Sequence, residues 1–250
     1  MEKENNKICL IYQPAGIGDV FFSIGIARYY QKLGYRIIWP VVADIIEMLN
    51  QITDIEFYDW KGDFPKKEYY NDANVDVIHT EEFVFLPIHK STNIIGGLVM
   101  PSKYQITNAS NEVSNWSEYF NWNRNVEKEN ELYYDVLNLK DDEQYIFINQ
   151  NFVTPPRTIK FPIDVDTSDM KVVNMDYIDG YNVFDWAKVI EKASGIVTID
   201  TCIQYMIEKL DMQSEFYYCY LRNGIYTYQQ IKDLFKTNWK YFDHNNNEIV

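Results

Sequence analysis

The chain has 250 residues, 46% hydrophobic and 24% charged, enough to build a hydrophobic core in one large domain or two smaller ones. Its formal net charge of -14 argues against a general nucleic-acid binder or a polybasic membrane reader, because both need positive surface to neutralise phosphate. Cys9, Cys202 and Cys219 stand far apart with no C-x-x-C pair, which suggests neither a disulfide framework nor a zinc site and fits a reducing compartment.

The opening MEKENNK is polar and lacks the features of a signal peptide. No run approaches the roughly 20 apolar residues that cross a bilayer. A cytoplasmic protein with no transmembrane segment is expected. Lys7 to Tyr12 is an almost continuous apolar run, as for a strand covered on both faces. After Gly16 and Gly18, Asp19 to Leu33 reads as a helix with Val20, Phe21, Ile24 and Ala27 on its apolar face and Gly34 as its stop. Tyr35 to Val42 is then a strand, Ala43 to Gln51 a short helix and Ile55 to Tyr58 a third strand. Such alternation predicts a parallel sheet with helices on its faces.

Residues 60 to 105 are less regular, with an apolar stretch at Phe83 to Ile88 and a helical pattern at Ile94 to Met100. Residues 107 to 131 are polar and Asn-rich with aromatic anchors, and read as a surface helix and connector. Tyr145 to Asn149 and Lys171 to Met175 read as strands. Trp186, Val189, Ile190 and Ala193 keep helical spacing, Ile196 to Ile199 is a buried strand, and Ile203, Met206, Ile207 and Leu210 mark another helix. Phe216 to Tyr220 is the next strand, and Thr227 is placed to cap a last helix. The expected fold is α/β, with two Rossmann-like domains over residues 1 to 137 and 138 to 250.

Gly16-Ile-Gly18 after a strand suggests the G-x-G-x-x-G dinucleotide fingerprint, yet Phe21 stands at its third glycine and no acidic residue ends the next strand. Asp19 has two readings. It can cap the helix by accepting backbone N–H groups, or it can be a general base at the carboxyl end of the first strand, where open α/β sheets bind ligands. GIVTIDTC repeats the theme: a buried strand ends at Asp200, and Thr201 and Cys202 begin a helix, so the pair can cap, seat a diphosphate, or both. Arg157 and Lys160, beyond Tyr145 to Asn149, put two cations near that edge, for phosphate recognition or as a solvated loop. Asp164-Val-Asp166 spells the D-x-D of metal-dependent sugar transferases, a tripeptide that arises easily in an acidic chain. The three histidines lack metal spacing, and no G-x-S-x-G elbow or Walker loop occurs.

Two stretches resemble the heptosyltransferases, glycosyltransferase family 9, and their GT-B relatives. GIGDVFFSIGIARYYQKLGYRIIWPV resembles the family's G-D-V, apolar helix and second strand; WAKVIEKASGIVTIDTCIQYMIEKL resembles its later A-x-x-V-V-x-x-D-T-G segment. The chain departs from the pattern where Ile24 or Gly25 replaces a proline, Cys202 a glycine and Tyr205 a histidine. The resemblance implies two domains facing a cleft and inverting transfer from a nucleotide sugar to a glycan or glycolipid hydroxyl. It implies Asp19 as base beside the glycine loop of Gly16 and Gly18. The donor would be held by Asn151, Arg157, Lys160, Asp200, Thr201, Cys202 and Tyr205, with no obligatory cofactor or metal. Two rival readings are a non-catalytic nucleotide- or glycan-binding protein and a metal-dependent transferase using Asp164 and Asp166.

Overall fold

The computed structural model describes residues 7–52, 54–70, 76–89, 98–152, 159–163, 165, 167 and 170–249. The chain divides into two compact units, Met1–Asn123 and Arg124–Val250. In the first unit the strands are β1 (Ile8–Ile11), β2 (Arg36–Val41), β3 (Glu56–Asp59), β4 (Ile78–His79) and β5 (Phe83–Leu86). The helices are α1 (Ile17–Lys32), α2 (Ile46–Leu49), α3 (Lys67–Tyr70), α4 (Val99–Gln105) and α5 (Trp116–Tyr119). The sheet order is β3-β2-β1-β5-β4, parallel except where β4 runs against β5. Successive strands therefore build outward from β1 on one side, and the chain then crosses to its other side at β5. That reversal is a topological switch point, where the carboxyl ends of β1 and β5 leave room for a ligand.

β1 has no exposed face: Cys9, Leu10 and Ile11 are fully buried, which explains its unbroken apolar run. Helix α1 is also covered nearly all round, because a second layer of aromatic residues lies on it. Phe21 stacks on Phe120, and Phe22 meets Tyr104 and Trp116. The stretch read as a surface connector thus supplies core to the first unit up to Asn123; Trp116 and Phe120 are buried and not on the surface. Gly25 makes this layer fit. A Cβ there would collide with the Tyr104 hydroxyl, which donates a 2.6 Å hydrogen bond to the Phe22 carbonyl.

In the second unit the strands are β6 (Tyr145–Asn149), β7 (Lys171–Asn174), β8 (Gly195–Ile199), β9 (Phe216–Tyr220), β10 (Lys240–Phe242) and β11 (Glu248–Ile249). Its helices are α6 (Val126–Asn130), α7 (Ala187–Glu191), α8 (Cys202–Ile207) and α9 (Ile225–Ile231). The order is β11-β10-β9-β8-β6-β7, parallel except for β11 on β10. Here the switch point lies between β6 and β8. A capping box of Asn182 and Asp185 starts a 3-10 turn ahead of α7, and Trp186, Val189, Ile190 and Ala193 are buried as their spacing predicts.

Several elements differ from the sequence reading. The helix expected over 43–51 is a 3-10 turn at Ala43–Ile45 followed by α2. The pattern at Ile94 to Met100 falls mostly outside the described residues, and α4 begins at Val99. Thr227 caps nothing: Gly224, at φ 52, precedes α9, and Thr227 is buried inside that helix. β10 and β11 were not anticipated. None of the described helices is long and apolar enough to cross a membrane.

Candidate functional site

The loop after β1 runs through Gln13, Pro14 and Ala15 into Gly16, whose φ of 83 turns the chain into α1. Gly18 lies inside α1, so the tight turn is made by Gly16 and not by both glycines. Asp19 is the third residue of the helix and makes no capping hydrogen bond, which removes the cap reading. Its carboxylate folds back over Gly16, where Oδ2 would stand 2.5 Å from a Cβ. Only glycine fits under that oxygen.

The other oxygen, Oδ1, is 3.0 Å from Nζ of Lys103. Lys103 comes from α4 and is buried, its side chain 3% exposed against 36% for Asp19. The ammonium also donates to Oε1 of Gln13 at 2.5 Å and to the Ile88 carbonyl at 3.2 Å. An ammonium only donates, so the amide oxygen must face it and the amide nitrogen must turn away. Gln13 Nε2 accordingly donates to the Ala15 carbonyl at 2.5 Å and to Nδ1 of His89 at 3.2 Å. His89 is thereby held as the tautomer with its proton on Nε2. Burial, with the Lys103 charge, pushes the His89 imidazole below its ordinary range, partly opposed by Asp19.

The backbone explains how these groups meet. The His89 N–H donates to the Tyr12 carbonyl, the Val42 N–H to the Pro14 carbonyl, and the Trp39 indole to the Gln13 carbonyl. The loops after β1, β2 and β5 are tied together at one edge, the switch point of the first sheet.

At the switch point of the second sheet, Asn149 ends β6 and reaches across to β8. Its Nδ2 donates to Thr198 Oγ1 at 3.1 Å and to Thr201 Oγ1 at 3.0 Å, while its Oδ1 accepts from the Asn151 N–H at 3.1 Å. Asn151 Nδ2 donates to the Met175 carbonyl at 2.5 Å, and its buried Oδ1 has no hydrogen-bond partner among the described residues. Asp200 is held by Arg222, the second residue past β9. Nε and Nη2 of Arg222 each lie 3.0 Å from a carboxylate oxygen, Nη2 also reaches the Asp200 carbonyl at 2.8 Å, and the Arg222 N–H donates to Oδ1 at 2.9 Å. The guanidinium lies over the Phe152 ring, 5.1 Å from its centroid.

The expected donor residues are therefore only partly assembled. Asn151 and Thr201 join the Asn149 group, and Asp200 faces Arg222. Neither Asp200 nor Thr201 caps α8: Thr201 occupies the cap position without a side-chain cap bond, and the helix has only six residues. Cys202 is half-buried, and desolvation pushes its thiol up to about 12, which favours the protonated form at neutral pH. Tyr205 is buried with its ring edge-on to Phe235, 5.0 Å away, within the packing of α8. Lys160 is exposed, bridges by its backbone to Asn151 and pairs with Asp176 at 2.8 Å. Arg157, Asp164 and Asp166 lie outside the described residues. Among the described residues no cluster of three or more His, Cys, Asp or Glu has a metal-binding arrangement.

Sequence reasoning missed Lys103, Gln13, His89, Asn149 and Arg222. Gln13, Asn149 and Arg222 had a legible signal: each is a polar residue at or just past the carboxyl end of a buried strand. Lys103 had none, since it lies on a helix remote in sequence from β1.

The two ion pairs point in opposite senses. At the first edge the carboxylate is the outer partner, 36% exposed against 3% for its lysine. At the second edge the guanidinium is the outer partner, 35% exposed against 9% for its carboxylate.

No protein-family model matches the sequence, and no curated protein matches it. Among solved structures, the glycosyl transferase family 9 from Veillonella parvula DSM 2008 is similar with a TM-score of 0.52 at 9% identity, over 96% of this chain and 88% of that one. The iron-containing dodecameric glycosyltransferase TibC from enterotoxigenic E. coli H10407 gives a TM-score of 0.43 at 9% identity, over 88% of this chain and 59% of that one. The first likeness establishes the fold as α/β with two mostly parallel sheets, GT-B-like.

Proposed function

We propose that the protein is an inverting glycosyltransferase that moves a sugar from a nucleotide-sugar donor to a hydroxyl of a glycan or glycolipid acceptor. The opposite sense of the two ion pairs carries this reading. A carboxylate turned outward can accept a proton, and a guanidinium turned outward can take up negative charge. Glycosyl transfer from a nucleotide sugar makes both demands. The fold shared with a family 9 glycosyltransferase supports the same reaction class.

In this reading Asp19 takes the proton of the acceptor hydroxyl as that oxygen bonds to the anomeric carbon. The bond from that carbon to the diphosphate oxygen breaks, and its electron pair leaves with the nucleoside diphosphate. Attack opposite the leaving group, through an oxocarbenium-like transition state, inverts the configuration. Arg222 meets the charge that develops on the diphosphate, with Lys160 and Arg157 as further cations. The buried Asn151 Oδ1 is suited to accept a hydrogen bond from a donor hydroxyl. The diphosphate is balanced by side chains, so no metal or cofactor is obligatory, and the acidic chain takes no nucleic-acid partner. Nucleotide-sugar donors and the unpaired cysteines suit a cytoplasmic site of action.

A thermal-shift screen of nucleoside diphosphates with and without manganese tests this. Stabilisation without metal that is lost in Arg222→Ala is expected. Stabilisation only with manganese favours the metal-dependent route through Asp164 and Asp166. Nucleotide binding without sugar transfer from any nucleotide-sugar donor supports the non-catalytic alternative.

A further inference from the structure

Lys103 is a buried lysine, its side chain 3% exposed. Burying such a charge is costly unless its donors all find acceptors, and here the Asp19 carboxylate, the Gln13 amide oxygen and the Ile88 carbonyl supply three. An apolar side chain of similar length would fill the same volume without that cost, so packing alone does not call for a lysine. The partners come from three separate places: Asp19 from α1, Gln13 from the loop after β1, and Ile88 with the neighbouring His89 from the segment after β5. Tyr104, next to Lys103, fixes the height of α4 on α1 through the Gly25 contact.

We propose that Lys103 is a positioning residue for the transfer reaction, holding one oxygen of Asp19 so that the other receives the acceptor's proton, with Gln13 and His89 fixing Lys103 in turn. The inference rests on the reading of Asp19 as the base. Without the ammonium the carboxylate could rotate about its side-chain torsions, and small misplacements of a reacting group are expensive. Lys103 touches no reacting atom; it acts through Asp19. His89 senses the same network, because only the orientation of Gln13 that satisfies Lys103 directs an N–H at Nδ1.

The test is a double-mutant cycle on the full chain, read as nucleoside diphosphate released from a panel of UDP-, GDP-, ADP- and dTDP-linked hexoses. Lys103→Met is expected to lower kcat by about 10²-fold with little change in donor KM, and to add nothing in the Asp19→Asn background. Multiplying losses, a matching rise in KM, or wild-type turnover in Lys103→Met would overturn the proposal. Wild-type turnover in Asp19→Asn, or no release from any donor by the unaltered protein, removes instead the reading on which it rests. Should Lys103→Met fail to fold, Gln13→Met carries the same cycle with a smaller expected loss of about tenfold. The ring ¹⁵N shifts of His89 add a readout that needs no substrate. The Nε2–H tautomer is expected in the unaltered protein and mixed tautomers in Gln13→Met; mixed tautomers already in the unaltered protein would show that the network does not form.

Discussion

The two sheet edges solve the same topological problem with opposite charge placement. Each has its polar groups where the strand order reverses, yet the first buries a cation beneath a reachable carboxylate and the second buries a carboxylate beneath a reachable cation. The difference teaches that the position of a group at a switch point says where a ligand binds, whereas the direction of its ion pair says what charge is offered. It also separates two roles that the motif Asp-x-x or Asp-Thr alone cannot separate. Asp19 is the exposed partner of its pair, and Asp200 is the buried partner of Arg222.

Breaking the outward carboxylate should have the largest effect. Asp19→Asn is expected to lower transfer by about 10²- to 10⁴-fold while leaving the affinity for nucleoside diphosphate unchanged, measured by initial rates and calorimetry. It should also destabilise the first unit, by about 1–3 kcal/mol in chemical denaturation, because the buried Lys103 loses its counter-charge. The partial exposure of Asp19 keeps the figure below that of a wholly buried pair.

Breaking the outward cation should act on binding instead. Arg222→Gln is expected to cost about 1.5–3 kcal/mol of nucleoside diphosphate affinity, the range of hydrogen bonds to charged groups. Arg222→Lys should recover the charge but not the two-point contact with Asp200, and so restore affinity only in part. If Arg222→Gln slowed transfer with no change in affinity, the assignment of roles to the two edges would be wrong.

Gly25→Ala reaches the first edge from a distance. Its Cβ would meet Tyr104 and Tyr119, so overpacking of about 1–3 kcal/mol is expected together with reduced turnover, since Tyr104 and Lys103 are neighbours on α4. Donor affinity, a property of the second unit in this scheme, should not change.

The smallest effect concerns His89. Its depressed imidazole should titrate by NMR below the ordinary value near 6.5. The unfolded chain then binds more protons than the folded one between the two values. Stability is therefore present above the ordinary value and is lost progressively as pH falls toward the folded one. His89→Gln should flatten that part of the stability curve.

Much of the fold was legible. The apolar runs at Cys9 to Ile11 and Ile196 to Ile199 are buried strands, and the helical spacing of Trp186 to Ala193 is a buried face. What misled was the polar, Asn-rich stretch around Trp116. Its composition is that of a surface, but a few large rings carry enough apolar area to cover α1, and average polarity hides them. The capping alternative at Asp19 and the cap expected at Thr227 fail because Gly16 and Gly224 take those positions with positive φ.

By itself the sequence determined the strand–turn–helix units, the placing of Asp19 and Asp200 just past buried strands, and the resemblance that suggests sugar transfer. Those follow from local rules: burial periodicity, glycine turns and the short distance along the chain from strand end to helix start. Only the tertiary structure decided which strands flank each reversal, that Lys103 sits under Asp19, and that Arg222 sits over Asp200. The reason is that each pair joins residues separated by a whole element or more, and the energy of an ion pair depends on burial and direction in space, which spacing along a chain does not encode.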